Sequence, residues 1–222
     1  MDPNALPADP GQVWLIDKPL HWTSFDVVKK LRGHLKIKKM GHAGTLDPLA
    51  TGLLILCSGK KTKEIETYQG MEKEYTGIIK IGQTTPSFDL ETEVDRTSEF
   101  KHVRLAQLNE AVQKLSGNIS QLPPVYSAIK VDGKRAYKSA REGESVKLKA
   151  RSVLIKKFDL QTVELPDVHF RIICSKGTYI RSIARDFGEY LGVGAHLTQL
   201  RRQRIGPFHV AEAETLENVM AK

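Results

Sequence analysis

Asp47 lies in the segment GHAGTLDPLATGLL, which runs from Gly41 to Leu54. Pro48 confines it to extended backbone. Gly41, Gly44 and Gly52 permit tight turns and the close approach of another chain or a ligand. A carboxylate so placed is a turn or N-cap group or a catalytic one. His42 stands five residues earlier. It could form an acid–base pair with Asp47, or be a polar loop residue or a group that stacks on RNA. No nucleophilic serine or cysteine motif accompanies the two, which disfavours a hydrolase. A second group lies in KGTYIRSIARDFGEYLG, with Tyr179 and Arg181 at the start of a predicted helix. The helix dipole favours an anion at that end. Arg181 is therefore either an ordinary surface residue or held by a specific partner. A carboxylate beside it would be kept ionised.

The elements that must position these residues follow from periodicity. Residues 13–16 read as a strand, and Thr23-Ser24 opens a helix in which Phe25, Val28 and Leu31 recur before a stop near Gly33. Residues 34–39 read as a basic loop, 53–59 as a short buried strand and 60–70 as a polar helix. Residues 74–82 read as a strand with Tyr75, Gly77, Ile79 and Ile81 on one face. A polar loop over 84–100 precedes a helix over 105–115. Residues 152–165 and 168–174 give two strands. Residues 178–191 give an amphipathic helix burying Ile180, Ile183, Ala184, Phe187 and Leu191. Residues 196–205 form a last strand. Adjacent strands without strict alternation predict an α/β (α+β) fold with a mixed, largely antiparallel sheet and flanking helices.

Lysine and arginine number 34 against 26 acidic residues, a formal charge of +8. Such a balance favours a polyanion, most simply nucleic acid. The basic residues cluster at 29–39, 60–63, 130–141 and 201–204, and Tyr126 and Tyr137 are interleaved with the third group. Cations with aromatic rings suit RNA, where phosphates set affinity and splayed bases stack. Each cluster alone also fits a solvated face. Ser58-Gly59-Lys60-Lys61 lacks the spacing of a phosphate loop, and Lys61 stands where a hydroxyl belongs. Cys57 and Cys174 sit in apolar runs and read as buried, reduced thiols. The longest apolar run, 53–57, is too short to cross a bilayer. Residues 1–12 carry no signal-peptide pattern and read as a flexible tail. A cytoplasmic protein is expected.

GHAGTLDPLATGLL closely resembles the catalytic motif of the TruB family of pseudouridine synthases. WLIDKPLHWTSFDVV resembles that family's first motif, usually written with a glycine where His21 stands. LPPVYSAIKVDGKRAY is similar to its tRNA-contacting segment, and CSKGTYIRSIARDFGEYLGVGAHLTQLRR to its third motif. The likeness runs from about Val13 to about Leu216, with the motifs in family order. It implies a pseudouridine synthase fold, a bent, largely antiparallel sheet around a central RNA-binding cleft. It implies one catalytic domain over 13–222, with a basic RNA-contacting segment at about 122–151. That segment, long and charged, is expected to order when RNA binds.

The implied activity is isomerisation of uridine at position 55 in the T loop of tRNA. The N1–C1′ bond is cut, the base turns, and C5 joins C1′, with no cofactor and no metal. The implied partner is the T-stem loop, met by a monomer with no guide RNA and no membrane. By position Asp47 matches the catalytic aspartate, whether it attacks C1′, adds at C6 or stabilises a glycal-type intermediate. Arg181 matches its paired arginine, and Tyr75 the tyrosine stacked on the target base. Tyr179 and Leu200 match pocket-lining residues. His42 matches a histidine that displaces the base, and Lys63 is a phosphate contact by charge and position. The chain departs from the family in two places. It ends soon after Leu216, which points to the form without a C-terminal PUA domain. Its loop TTPSFDLET replaces a more aspartate-rich run, keeping Asp89. The guide-dependent relative and an RNA-folding chaperone are the competing readings.

Overall fold

The computed structural model describes residues 10–127, 129–131, 133–136 and 148–221. In chain order the elements are β1 (Val13–Lys18), α1 (Ser24–His34), β2 (Met40–His42), β3 (Ala50–Ser58), a 3-10 turn (Gly59–Glu64), α2 (Ile65–Gly70) and β4 (Lys73–Ile81). There follow β5 (Gln83–Thr84), β6 (Arg96–Thr97), α3 (Leu105–Lys114), β7 (Gly117–Gln121), β8 (Lys130–Val131) and β9 (Lys134–Arg135). Then come β10 (Arg151–Glu164), β11 (Asp167–Cys174), α4 (Ile180–Tyr190), β12 (Ala195–Ile205), β13 (Phe208–His209), a 3-10 turn (Val210–Glu212) and α5 (Leu216–Met220). The chain divides into two compact units, one formed by the residues up to Glu74 with those from Arg201 onward, the other by Tyr75–Leu200. The division falls inside β4 and β12.

In the first unit β1 runs antiparallel to β3, from Val13 opposite Cys57 to Lys18 opposite Gly52. β2 pairs with the far end of β3, His42 opposite Leu56. Every residue of β3 except Thr51 is buried. Its alternating side chains serve two cores, which is why it reads as an unbroken apolar run. Leu54 and Leu56 pack with Ile16, with Val27, Val28 and Leu31 of α1, and with Leu216 and Val219 of α5. Leu53, Ile55 and Cys57 pack with Ala43, Ile205 and Val210. Helix α1 starts where the sequence places it, because Thr23 and Asp26 form a reciprocal capping box. The segment before α5 pairs with β1 through Asp17 N–H to Glu214 O, 2.9 Å, and Glu214 N–H to Leu15 O, 2.9 Å. Gln12 is fixed to Ser58 by two hydrogen bonds.

In the second unit β7, β10 and β11 are antiparallel neighbours, β4 lies beside β11, and the start of β12 lies beside β4. Phe158 meets Phe170 edge-on at 6.3 Å and Phe187 of α4 at 6.0 Å. The expected face of β4 is the buried one at Tyr75, Ile79 and Ile81. The largely antiparallel mixed sheet with flanking helices agrees with the expectation.

Three local expectations need correction. Residues 60–70 form a 3-10 turn before a single short α2 rather than one helix. The polar stretch 84–100 contains the β5–β6 pair, Thr84 opposite Arg96. Helix α4 begins at Ile180, leaving Tyr179 as its N-cap residue. Of the segment 122–151, residues 128, 132 and 137–147 lie outside the described residues, as do residues 1–9 of the expected N-terminal tail.

Candidate active site

Asp47 occupies the connection between β2 and β3 and is half-buried. Main-chain bonds fix the residues on both sides of it. Before it, the buried hydroxyl of Ser24 accepts from Leu46 N–H at 2.8 Å and donates to Leu46 O at 3.2 Å. After it, Pro48 O accepts from His21 N–H at 2.9 Å, and Asp47 O accepts from Ala50 N–H at 3.0 Å. The first turn of α1 therefore holds the loop, so the helix that the capping box starts also aims the aspartate.

Two buried cations complete the support. Lys18, fully buried at the end of β1, donates through Nζ to Trp22 O at 2.6 Å, Pro19 O at 2.9 Å and Pro48 O at 3.4 Å. Arg202, also buried, donates through Nε to Leu53 O at 2.7 Å and through Nη2 to Gly44 O at 3.1 Å. Gly52 is required here. Its φ is +101°, and a Cβ on it would stand 2.3 Å from Arg202 O. Burial pulls the Lys18 amine from 10.5 down to about 8, and the Arg202 charge adds to this. Asp47 is the strongest of the influences that pull it back up. Burial, with Arg202 again, lowers the pKa of His42 against an opposing hydrogen bond with the Gly44 backbone, and so favours the neutral imidazole.

The second unit carries the other group. Arg181 is 2% exposed. It donates to Tyr126 O at 2.8 Å and Ser87 O at 3.1 Å, and its Nε lies 3.6 Å from Asp89 Oδ2. The loop that supplies Ser87 and Asp89 is a buried polar knot. Thr85 Oγ1 and Ser87 Oγ both donate to Asp89 O, and Ser87 N–H donates to Thr92 Oγ1. The cation at the start of α4 thus has specific partners and is not an ordinary surface residue. Beside it, the Gln121 side chain clamps the backbone of Tyr179, accepting from N–H at 2.8 Å and donating to O at 3.1 Å. The Arg151 guanidinium lies 4.5 Å over the Tyr179 ring and donates to Gly177 O.

The structure places Asp47, His42 and Lys63 in the first unit, Lys63 exposed on the 3-10 turn. It places Tyr75, Tyr179, Arg181 and Leu200 in the second, Tyr75 buried in β4 and Leu200 half-buried in β12. Sequence reasoning missed Lys18, Ser24, Arg202 and Gln121. For Lys18 a signal existed, since the period of two puts it on the same face as Ile16. Among the described residues no cluster of three or more His, Cys, Asp or Glu could hold a metal. No helix among them is long and apolar enough to cross a membrane.

The family model described as TruB family pseudouridylate synthase (N terminal domain) matches residues 32–180. That described as tRNA pseudouridylate synthase B C-terminal domain matches residues 181–222. A protein of Flavobacterium johnsoniae named tRNA pseudouridine synthase B is 52% identical over 210 residues, covering 91% of this chain and 92% of that one. Its namesake from Phocaeicola vulgatus is 51% identical over 214 residues, covering 94% and 91%. Among solved structures, a chain of a Cbf5-Nop10-Gar1 complex is 30% identical, with a TM-score of 0.74 and 94% of this chain covered. A chain of an H/ACA RNP bound to a substrate RNA containing 2′-deoxyuridine is 27% identical, with a TM-score of 0.71 and the same coverage. This chain spans only about half the length of those two, 53% and 52%.

Proposed function

The chain belongs to the TruB family of pseudouridylate synthases, and from that premise we propose that it isomerises a uridine of tRNA, at position 55 in the T loop, through Asp47. The reaction cuts N1–C1′, rotates the uracil and forms C5–C1′. The proton lost from C5 is balanced by one gained at N1, so no cofactor or metal is required. Asp47 serves the flipped-out nucleotide as an ionised carboxylate. Tyr75 stacks on the uracil, Tyr179 and Leu200 line its pocket, and neutral His42 takes the space the base leaves in the RNA stack. Extrusion costs a few kcal/mol of unstacking, offset by that stacking and by phosphate contacts from Lys63 and the 122–151 segment. The enzyme works as a cytoplasmic monomer without a guide RNA.

One observation carries this reading. The main chain on both sides of Asp47 is pinned by Ser24, Lys18 and Arg202, while the residue itself stays half-buried rather than sealed. Such rigid placement of a reactive group is what catalysis by orientation needs. The test is incubation of purified protein with an unmodified tRNA transcript, with pseudouridine mapped at single-nucleotide resolution. The wild type converts one T-loop uridine with no guide RNA added, whereas Asp47→Asn binds the tRNA and yields no product. Conversion by Asp47→Asn, or none by the wild type, overturns the proposal.

A further inference from the structure

The basic clusters do not share one fate. Arg202 is buried under the Asp47 loop. Arg201 holds Asp17 with two bonds, 3.0 and 2.6 Å. Arg204 holds Glu72 at 2.8 Å and Glu74 at 3.3 Å, and Lys61 holds Glu64 at 2.6 Å. Lys29, Lys30, Arg32, Lys36, Lys38 and Lys39 differ. All six are exposed, and none forms an ion pair among the described residues. No acidic residue lies between positions 29 and 39.

Part of this cluster lines a cavity. A groove of about 660 Å³ is bounded by His21, Trp22, Asp26, Lys29, Lys30, Gly33 and His34. The α1 members recur at intervals of three and four, and so share one face of the helix. The carboxylate of Asp26 caps Thr23, accepting from its N–H at 3.0 Å and its hydroxyl at 2.5 Å, and its charge also acts on Lys29. Gly33 leaves the floor open, since a Cβ there would meet nothing within 4 Å. At one end the groove is tied to the Asp47 loop, since His21, which lines it, donates its N–H to Pro48 O. From there α1 runs for about 16 Å at 1.5 Å per residue. At about 3.4 Å of helix axis per phosphate on one strand, that is the length of roughly five phosphates.

We propose that the α1 groove is a second binding site for RNA backbone, taking the phosphates that flank the reacting nucleotide on Lys29 and Lys30. The inference rests on the RNA-substrate reading above. Charge selects the occupant: over residues 26–39 six exposed cations stand against the single carboxylate of Asp26, and none of the six forms an ion pair among the described residues. The half-buried Trp22 adds an apolar wall on which a sugar or base can rest.

The test is tRNA binding by fluorescence anisotropy across a salt series. Four proteins are compared: wild type, Lys29→Ala/Lys30→Ala, Gly33→Gln, and a charge-matched control, Lys101→Ala/Lys114→Ala. The groove pair loses about two from the slope of log K against log[salt], and about tenfold in affinity near 0.1 M salt. The control, at exposed lysines outside the groove, leaves the slope unchanged. Gly33→Gln fills the groove without altering charge, so affinity falls although a helix-favouring residue replaces glycine and Tm does not drop. Equal losses in the groove pair and the control would reduce the effect to net charge and overturn the site. So would an unchanged slope in the groove pair, or full affinity in Gly33→Gln. If the wild type converts and binds tRNA while these outcomes fail, the groove proposal falls alone. If the wild type neither binds nor converts, the functional reading falls with it.

Discussion

Replacing Lys18 by methionine tests the buried cation behind the Asp47 loop. In the folded protein the amine titrates at about 8 rather than 10.5, chiefly through burial. At pH 7 it is charged in both states, and the shift represents about 3 kcal/mol of destabilisation relative to a lysine in water. As pH rises past 8 the folded amine gives up its proton, while the unfolded chain keeps one up to 10.5. The unfolded state then binds more protons, so stability contributed by this group rises with pH and is lost again as pH falls back towards 8. Methionine has no such titration. The free energy of unfolding of the wild type, minus that of Lys18→Met, therefore grows by about 2 kcal/mol between pH 7.5 and pH 10. Taking the difference removes other groups from the comparison. Cys57, whose thiol burial pushes up to about 11, loses stability through the same range in both proteins. Urea unfolding at four pH values reads the quantity directly. The variant also orphans Pro19 O, Trp22 O and Pro48 O, at roughly 1–3 kcal/mol for each that water cannot reach, so it is less stable than the wild type at pH 7. A wild-type-minus-variant difference that is flat or falling with pH would refute the buried-cation argument.

Arg202→Lys keeps the charge but not the fork that reaches Leu53 O and Gly44 O together. Stability is expected to fall by about 2–4 kcal/mol, and pseudouridine formation to fall while tRNA affinity holds; thermal melts and single-turnover rates check the two parts. His21 has a φ of +65°, which costs a non-glycine residue about 1–2 kcal/mol, against roughly 0.5–1 kcal/mol of extra chain entropy for glycine. His21→Gly is therefore neutral to stabilising by up to about 1 kcal/mol in urea unfolding, and a loss above 1 kcal/mol would contradict it.

The legible parts of this chain were those in which local rules suffice. Thr23 and Asp26 announce the start of α1 because both capping partners lie within one turn. The run 53–57 announces a buried strand, whereas the arginine at a helix start left open whether a partner holds it, because the dipole only fails to account for it. Illegible were contacts that span the chain. Arg202 reaches Leu53 across 149 positions, and Gln121 reaches Tyr179 across 58. Nothing local separates Arg202 from Arg201 and Arg204, yet one is buried against carbonyls and the others hold carboxylates. The glycine that the family usually carries at position 21 has its reason in the left-handed backbone there, which histidine tolerates better than most side chains. The stretch 84–100 read only as a polar loop, but several of its polar groups satisfy one another and Arg181.

That sorting of cations matters for how a chain of net charge +8 meets a polyanion. Arg201 and Arg204 are neutralised by the acids they hold, and contribute little field. Lys18 and Arg202 are solvated by carbonyl oxygens, which stabilise a cation by their dipoles without cancelling its charge. Neither forms an ion pair among the described residues. Being buried, both act through protein rather than through salt solution, and are screened less than surface charges. They therefore supply a fixed positive field under the Asp47 loop that side-chain motion cannot dissipate, while the exposed lysines of α1 supply one that salt can screen. The two contributions are separable on this account. Raising salt should weaken RNA capture by the exposed set, yet leave the rate of the bound complex nearly untouched, because the charges beneath the aspartate belong to the fold.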